Sequence, residues 1–92
     1  MQFEFDPAKD QTNVTKHGVS LAVACELEWD SLASRADTRH NYGEAREVGY
    51  AMMGGRLCCV VFVDRGDVRR IISLRRANNR EKVLYAKLFN AS

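Results

Sequence analysis

Two tight turns divide the middle of this chain. Gly54-Gly55 and Asp64-Arg65-Gly66-Asp67 separate three apolar-rich segments, about Arg46 to Met53, Leu57 to Val63 and Val68 to Arg76. Paired glycines and Asp/Gly clusters supply the backbone conformations that short hairpins need, so the three segments are expected to be strands paired antiparallel. A meander of this kind has two faces, and at least one of them must be covered.

The flanking segments can supply that cover. Phe3-Glu4-Phe5 alternates and reads as a short strand. Asp6-Pro7 has the pattern of an N-cap followed by proline at the first helical position, and Gly18 suits a left-handed C-cap, which predicts a helix over about Pro7 to His17. Lys9, Asn13 and Lys16 form a polar stripe along it, and Ala8 and Val14 promise little core. Ser20 caps a predicted second helix, about Leu21 to Trp29, with an apolar face of Leu21, Ala24, Cys25 and Leu27. Residues 30–43 are polar and irregular and are expected to be a loop carrying Asp37, Arg39, His40 and Asn41. Asn78 with Glu81 makes a capping box for a last helix, about Asn79 to Phe89, whose expected buried positions are Val83, Leu84, Ala86 and Leu88. The predicted order is β-α-α-β-β-β-α. It describes one α+β domain over residues 1–92, a small antiparallel β-sheet with two N-terminal helices on one face, a C-terminal helix, and a second face open to a ligand.

Several function classes are disfavoured. The longest apolar run, Leu57 to Val63, is far short of the roughly 18 residues of a membrane span, and the N-terminus lacks a basic-then-apolar leader, so a cytoplasmic protein is expected. The three cysteines have no zinc-ligand spacing and read as small buried hydrophobes in a reducing compartment. There is no carboxylate cluster for magnesium, no glycine-rich phosphate loop and no nucleophile elbow. No metal or cofactor is expected.

Charge points elsewhere. Residues 1–45 carry a net −4 and residues 46–92 a net +6. The last predicted strand runs Arg69-Arg70-Ile71-Ile72-Ser73-Leu74-Arg75-Arg76-Ala77. Guanidinium groups are planar donor forks matched to phosphate oxygens and remain charged at working pH, so a polyanion is the expected partner. Strict alternation puts Ile71, Ser73 and Arg75 on one face, and Arg70, Ile72, Leu74 and Arg76 on the other. Arg75 and Ser73 are thus spaced to reach one phosphodiester; Arg70 and Arg76 join them only if the strand bulges, twists or ends early. The alternative for Arg75 and Arg76 is to snorkel to water from the strand end. Arg46 either adds a phosphate contact or pairs with Glu44 or Glu47. His17 is the candidate for proton transfer, although Lys16-His17-Gly18 is also what a helix C-terminus favours. Tyr85 either stacks on a base or donates its hydroxyl to a ligand, or packs its ring on the sheet.

These pieces occur in an order that resembles the BrnT family of type II toxin–antitoxin ribonucleases. The resemblance lies in Phe5-Asp6-Pro7-Ala8-Lys9, Asn13, Lys16-His17-Gly18-Val19-Ser20 and Ala24, then Glu44-x-Arg46, Gly55-Arg56-Leu57 and Arg65-Gly66-Asp67. It ends in Arg70-Ile71-Ile72-Ser73-x-Arg75-Arg76-Ala77, Glu81 and Tyr85. Departures fall at Glu28, at Ser31 where the family usually has proline, and at Ala51 where it usually has glycine.

The resemblance implies a RelE-like fold and a toxin that cleaves mRNA, free or on the ribosome. It also implies a neutralising antitoxin with a ribbon-helix-helix domain, in a 2:2 complex that binds operator DNA. Carried over by position, Lys16, His17, Arg46, Arg70, Ser73, Arg75 and Arg76 are expected near RNA. Arg75, Ser73, Arg46 and His17 are the expected catalytic group; Lys16, Arg70, Arg76 and Tyr85 are expected to bind RNA or phosphate. The competing expectation is a non-catalytic module that uses the same basic face to bind nucleic acid or an antitoxin.

Overall fold

A computed structural model describes residues 1–90, with side chains through residue 88. Strands β1 (Gln2–Glu4), β2 (Glu28–Ala36), β3 (Glu47–Met53), β4 (Arg56–Arg65) and β5 (Val68–Arg76) form one sheet in the order β1-β5-β4-β3-β2. Helix α1 (Pro7–His17) and a 3-10 helix (Leu21–Glu26) precede β2, and helix α2 (Asn79–Asn90) follows β5. The meander β3-β4-β5 is antiparallel as predicted, with Gly54 (φ 56°) and Gly55 (φ 82°) making its first turn. β1 runs parallel to β5, so the sheet is mixed rather than purely antiparallel.

One face holds the core. Phe62, Leu21, Ile71, Leu74 and Val60 are its largest fully buried side chains, and each contributes about 1.5–3 kcal/mol through burial. Helix α1 is capped as expected: Asp6 accepts from the Ala8 N–H, and Gly18 (φ 72°) closes the last turn by donating to the Val14 carbonyl. Asn13 departs from its place in the solvated stripe. It is buried, and its amide donates to the carbonyls of Val19 and Leu74, both at 2.8 Å, while its oxygen accepts the Leu74 N–H at 3.1 Å. A helix with few apolar residues is thereby pinned to β5 by hydrogen bonds.

The second helix and the following loop differ from expectation. The helix is 3-10 and ends at Glu26; β2 occupies the first half of the predicted loop. Trp29 accounts for the change. Its ring stacks on Phe3 at 5.4 Å and meets Phe62 edge-on at 5.6 Å, and its indole N–H donates to the Ala24 carbonyl. Those contacts draw the chain out of helical geometry and along the edge of β3. The register then shifts between Glu28 and Ala33. At that irregularity the Ser31 hydroxyl donates to the Glu28 carbonyl and accepts the Met52 N–H, so the serine in place of proline stitches the edge. An edge strand with an interrupted period of two shows no clean alternation in its sequence. The true loop is residues 37–46, organised on Asp37, whose carboxyl is held at about 2 by a bidentate bond from Arg39.

α2 is a second correction. Its expected buried positions Val83, Leu84 and Leu88 are 54%, 54% and 67% exposed, and Ala86 is exposed as well. The helix is held by polar contacts. Glu81 accepts from the Tyr50 hydroxyl and from Arg75, and the Tyr85 hydroxyl donates to the Ser31 carbonyl. Tyr50 and Arg75 point away from the core, so α2 leans over the second face rather than leaving it open. Cys58 and Cys59 are buried as expected, whereas Cys25 is exposed.

Candidate active site

Strand β5 does not present one continuous arginine surface. Its register runs Cys58↔Arg76, Cys59↔Arg75, Val60↔Leu74 and Val61↔Ser73, then jumps to Phe62↔Ile71, which leaves Ile72 as the extra residue of a bulge. The bulge reassigns the faces. Arg70 joins Ser73 and Arg75 on the second face, while Ile71, Leu74 and Arg76 lie on the core face.

Most of the predicted basic residues on the second face are engaged within the protein. Arg75 makes a bidentate pair with Glu81, 2.8 Å for each bond, and also donates to the Arg76 carbonyl. That pair holds the Glu81 carboxyl at about 2, and burial together with the bond to Glu81 pushes the Tyr50 hydroxyl up to about 12. Arg70 reaches Glu4 at 3.3 Å. Arg46 lies over the Tyr42 ring at 3.9 Å, with Glu44 at 4.0 Å and its own Nε buried without a hydrogen-bond partner. On the core side Arg69 is clamped by Asp64 and wedged between the rings of Trp29 and Phe62. Guanidinium groups tied up like this cost more to redirect to a phosphate than free ones.

Two cations with no ion pair to a described residue, Arg56 and Arg76, meet at the end of the sheet. A cleft of about 580 Å³ opens there. The α1 terminus and the segment after it contribute His17, Gly18, Val19 and Val23. The first hairpin turn contributes Met53, Gly54 and Arg56, and the adjoining strands Cys58, Leu74, Arg75 and Arg76. Arg76 is the ladder partner of Cys58, and Arg56 is two residues before Cys58, so the two guanidinium groups issue from one face as diagonal neighbours. Both are exposed, and neither Arg56, Arg76 nor His17 forms an ion pair with a described residue.

Of the predicted site residues, His17, Arg75 and Arg76 are brought together in this cleft. Lys16 sits in the same last turn of α1, exposed, just outside the lining. Tyr85 lines a neighbouring cleft of about 450 Å³ that shares Arg56 and Arg76 in its wall. Arg46, Arg70 and Ser73 lie outside both.

The sequence showed Arg56 only within Gly55-Arg56-Leu57 and did not mark it as a site residue. Its signal was its distance from the Gly54-Gly55 turn, which fixes the face it shares with Cys58, but only the β4–β5 register brings it beside Arg76. Glu81 was legible as half of a capping box, and it is one: it accepts the Asn78 N–H while Asn78 accepts the Glu81 N–H. Its second task, fixing Arg75, was not visible without the tertiary pairing.

The cleft can grip a tetrahedral anion between the guanidinium groups of Arg56 and Arg76, with an imidazole on the rim, while the Arg75 guanidinium is turned to Glu81 on the other face. Its cysteine is not a nucleophile, because burial pushes the Cys58 thiol up. Among the described residues no group of three His, Cys, Asp or Glu side chains could hold a metal ion, and no helix is long and apolar enough to cross a membrane.

Among curated proteins no match to the chain is found. The model of one family, described as the ribonuclease toxin BrnT of type II toxin–antitoxin systems, matches residues 5–81. That span runs from the cap of α1 to the Glu81 that anchors α2, and it contains every residue lining the larger cleft. The chain therefore belongs to the BrnT family of ribonuclease toxins of type II toxin–antitoxin systems.

Proposed function

We propose that this toxin cleaves mRNA in the His17–Arg56–Arg76 cleft, without a metal ion, and so halts translation and growth in the cytoplasm. The convergence of unpaired guanidinium groups with an imidazole at one cleft carries the reading. In the reaction the RNA's own 2′-hydroxyl attacks the adjacent phosphorus, and the bond from phosphorus to the 5′-oxygen breaks. The products are a 2′,3′-cyclic phosphate and a free 5′-hydroxyl. One proton leaves the attacking hydroxyl and one reaches the departing oxygen; His17 handles one of these transfers and solvent the other. Arg56 and Arg76 hold the non-bridging oxygens as charge grows on them. Preorganised donors of this kind contribute roughly 10²–10³ in rate each, and a placed acid or base roughly 10²–10⁴. Arg75, pinned by Glu81, sets the Arg76 backbone through its bond to that carbonyl and adds positive charge to the wall.

A RelE-like arrangement accommodates this α+β architecture. The partner is a ribbon-helix-helix antitoxin, assembled two toxins to two antitoxins on operator DNA, that silences the enzyme by covering the cleft. The test is RNA incubated with purified toxin in excess EDTA. Fragments ending in a 2′,3′-cyclic phosphate are the expected result; cleavage that stops with the chelator refutes the metal-free scheme. A protein that binds RNA without ever cutting it would favour the non-catalytic alternative.

A further inference from the structure

The two clefts that share Arg56 and Arg76 differ in chemistry. The larger has the imidazole of His17 at its edge. The smaller is walled by Met52, Leu57 and Ala77 and bordered by Tyr85 and Lys82. Leu57 and Ala77 are buried, Met52 and Tyr85 half-buried, and Lys82 exposed, with no ion pair to a described residue. An apolar floor beside an aromatic ring, with cations on the rim, suits a nucleoside followed by a phosphate.

From this we infer that the smaller cleft is a second nucleotide subsite of the same ribonuclease. The reading rests on the cleavage site proposed above. The scissile phosphate sits on the saddle formed by Arg56 and Arg76. One flanking nucleoside turns toward His17, and the other lies against Met52, Leu57 and Tyr85. Lys82 then takes the next phosphate along the strand. The substrate is a single strand, because a paired base cannot turn into either cleft, and α2 becomes part of the substrate track. A Lys–phosphate contact at a solvent-exposed rim is a modest term, so it shows as a length preference rather than as loss of all binding.

The test uses the toxin carrying His17→Gln, so that RNA is bound and cut more slowly by about 10² or more. Affinity is measured for a dinucleoside monophosphate and for a trinucleotide that adds the next phosphate, with and without Lys82→Ala. The expected result is that Lys82→Ala lowers the ratio of trinucleotide to dinucleotide affinity by about threefold to fivefold. It should also reduce the salt slope for the trinucleotide by about 0.7, and Lys82→Arg should restore both. An unchanged ratio and slope overturn the subsite while leaving the cleavage site standing. Absence of binding at either length removes the cleavage site and the subsite together.

Discussion

Asn13 shows how one polar side chain can carry a tertiary join. Three hydrogen bonds tie it to Val19 and to both backbone groups of Leu74, the residue between Ser73 and Arg75. Asn13→Ala leaves the buried Leu74 N–H and C=O unpaired, and we expect a loss of about 3 kcal/mol in chemical denaturation. A change under about 0.5 kcal/mol would contradict the role given to it. The sequence showed Asn13 only as one member of a stripe with two lysines, and spacing cannot say which member faces the sheet. The cysteines give a second prediction at this scale. Cys25 is exposed, while Cys58 and Cys59 are buried with their thiols pushed up. Native protein should take up one alkylating group, on Cys25, and unfolded protein three.

Among the elements, those whose sequence fixes local geometry were legible. α1 from Pro7 to His17, β5 from Val68 to Arg76 and both hairpin turns follow from caps, alternation and glycine placement. β2 was hidden because its pairing depends on Trp29 finding Phe3 and Phe62, which no window of sequence displays. The exposed side of α2 misled for a related reason: apolar periodicity says a face could be buried, not that the sheet comes up to meet it. What holds α2 is the Glu81 latch, and it has a pH signature. The Glu81 carboxyl drops from 4.5 to about 2 on folding because Arg75 binds it. Its contribution is therefore complete above about pH 4.5 and is lost as pH falls toward 2. Protection of the α2 amides, taken relative to the intrinsic exchange rate at each pH, should fall through that window in the wild type. In Glu81→Gln it should be lower from the start and nearly independent of pH there. Matching profiles for the two proteins would show that the latch does not hold the helix.

At the scale of the whole molecule, the uneven charge of the two halves did point toward a basic site, but not to its position. Strand alternation makes Arg75 and Ser73 neighbours, and that put them at the centre of the expected site. The fold adds two things that a sequence read strand by strand lacks: the bulge at Ile72, which re-sorts β5, and the β4 register, which sets Arg56 beside Arg76. It also adds carboxylates, Glu4 against Arg70 and Glu81 against Arg75, that separate engaged arginines from unengaged ones. The central claim is that the unengaged set, with His17, does the chemistry. Single-turnover cleavage of one RNA by folded Arg76→Ala, His17→Gln, Arg46→Ala and Arg70→Ala proteins tests this directly. The account predicts rates lower by about 10² or more for the first two and by less than about tenfold for the last two. The reverse order, with Arg46 and Arg70 indispensable and Arg76 and His17 dispensable, would contradict it.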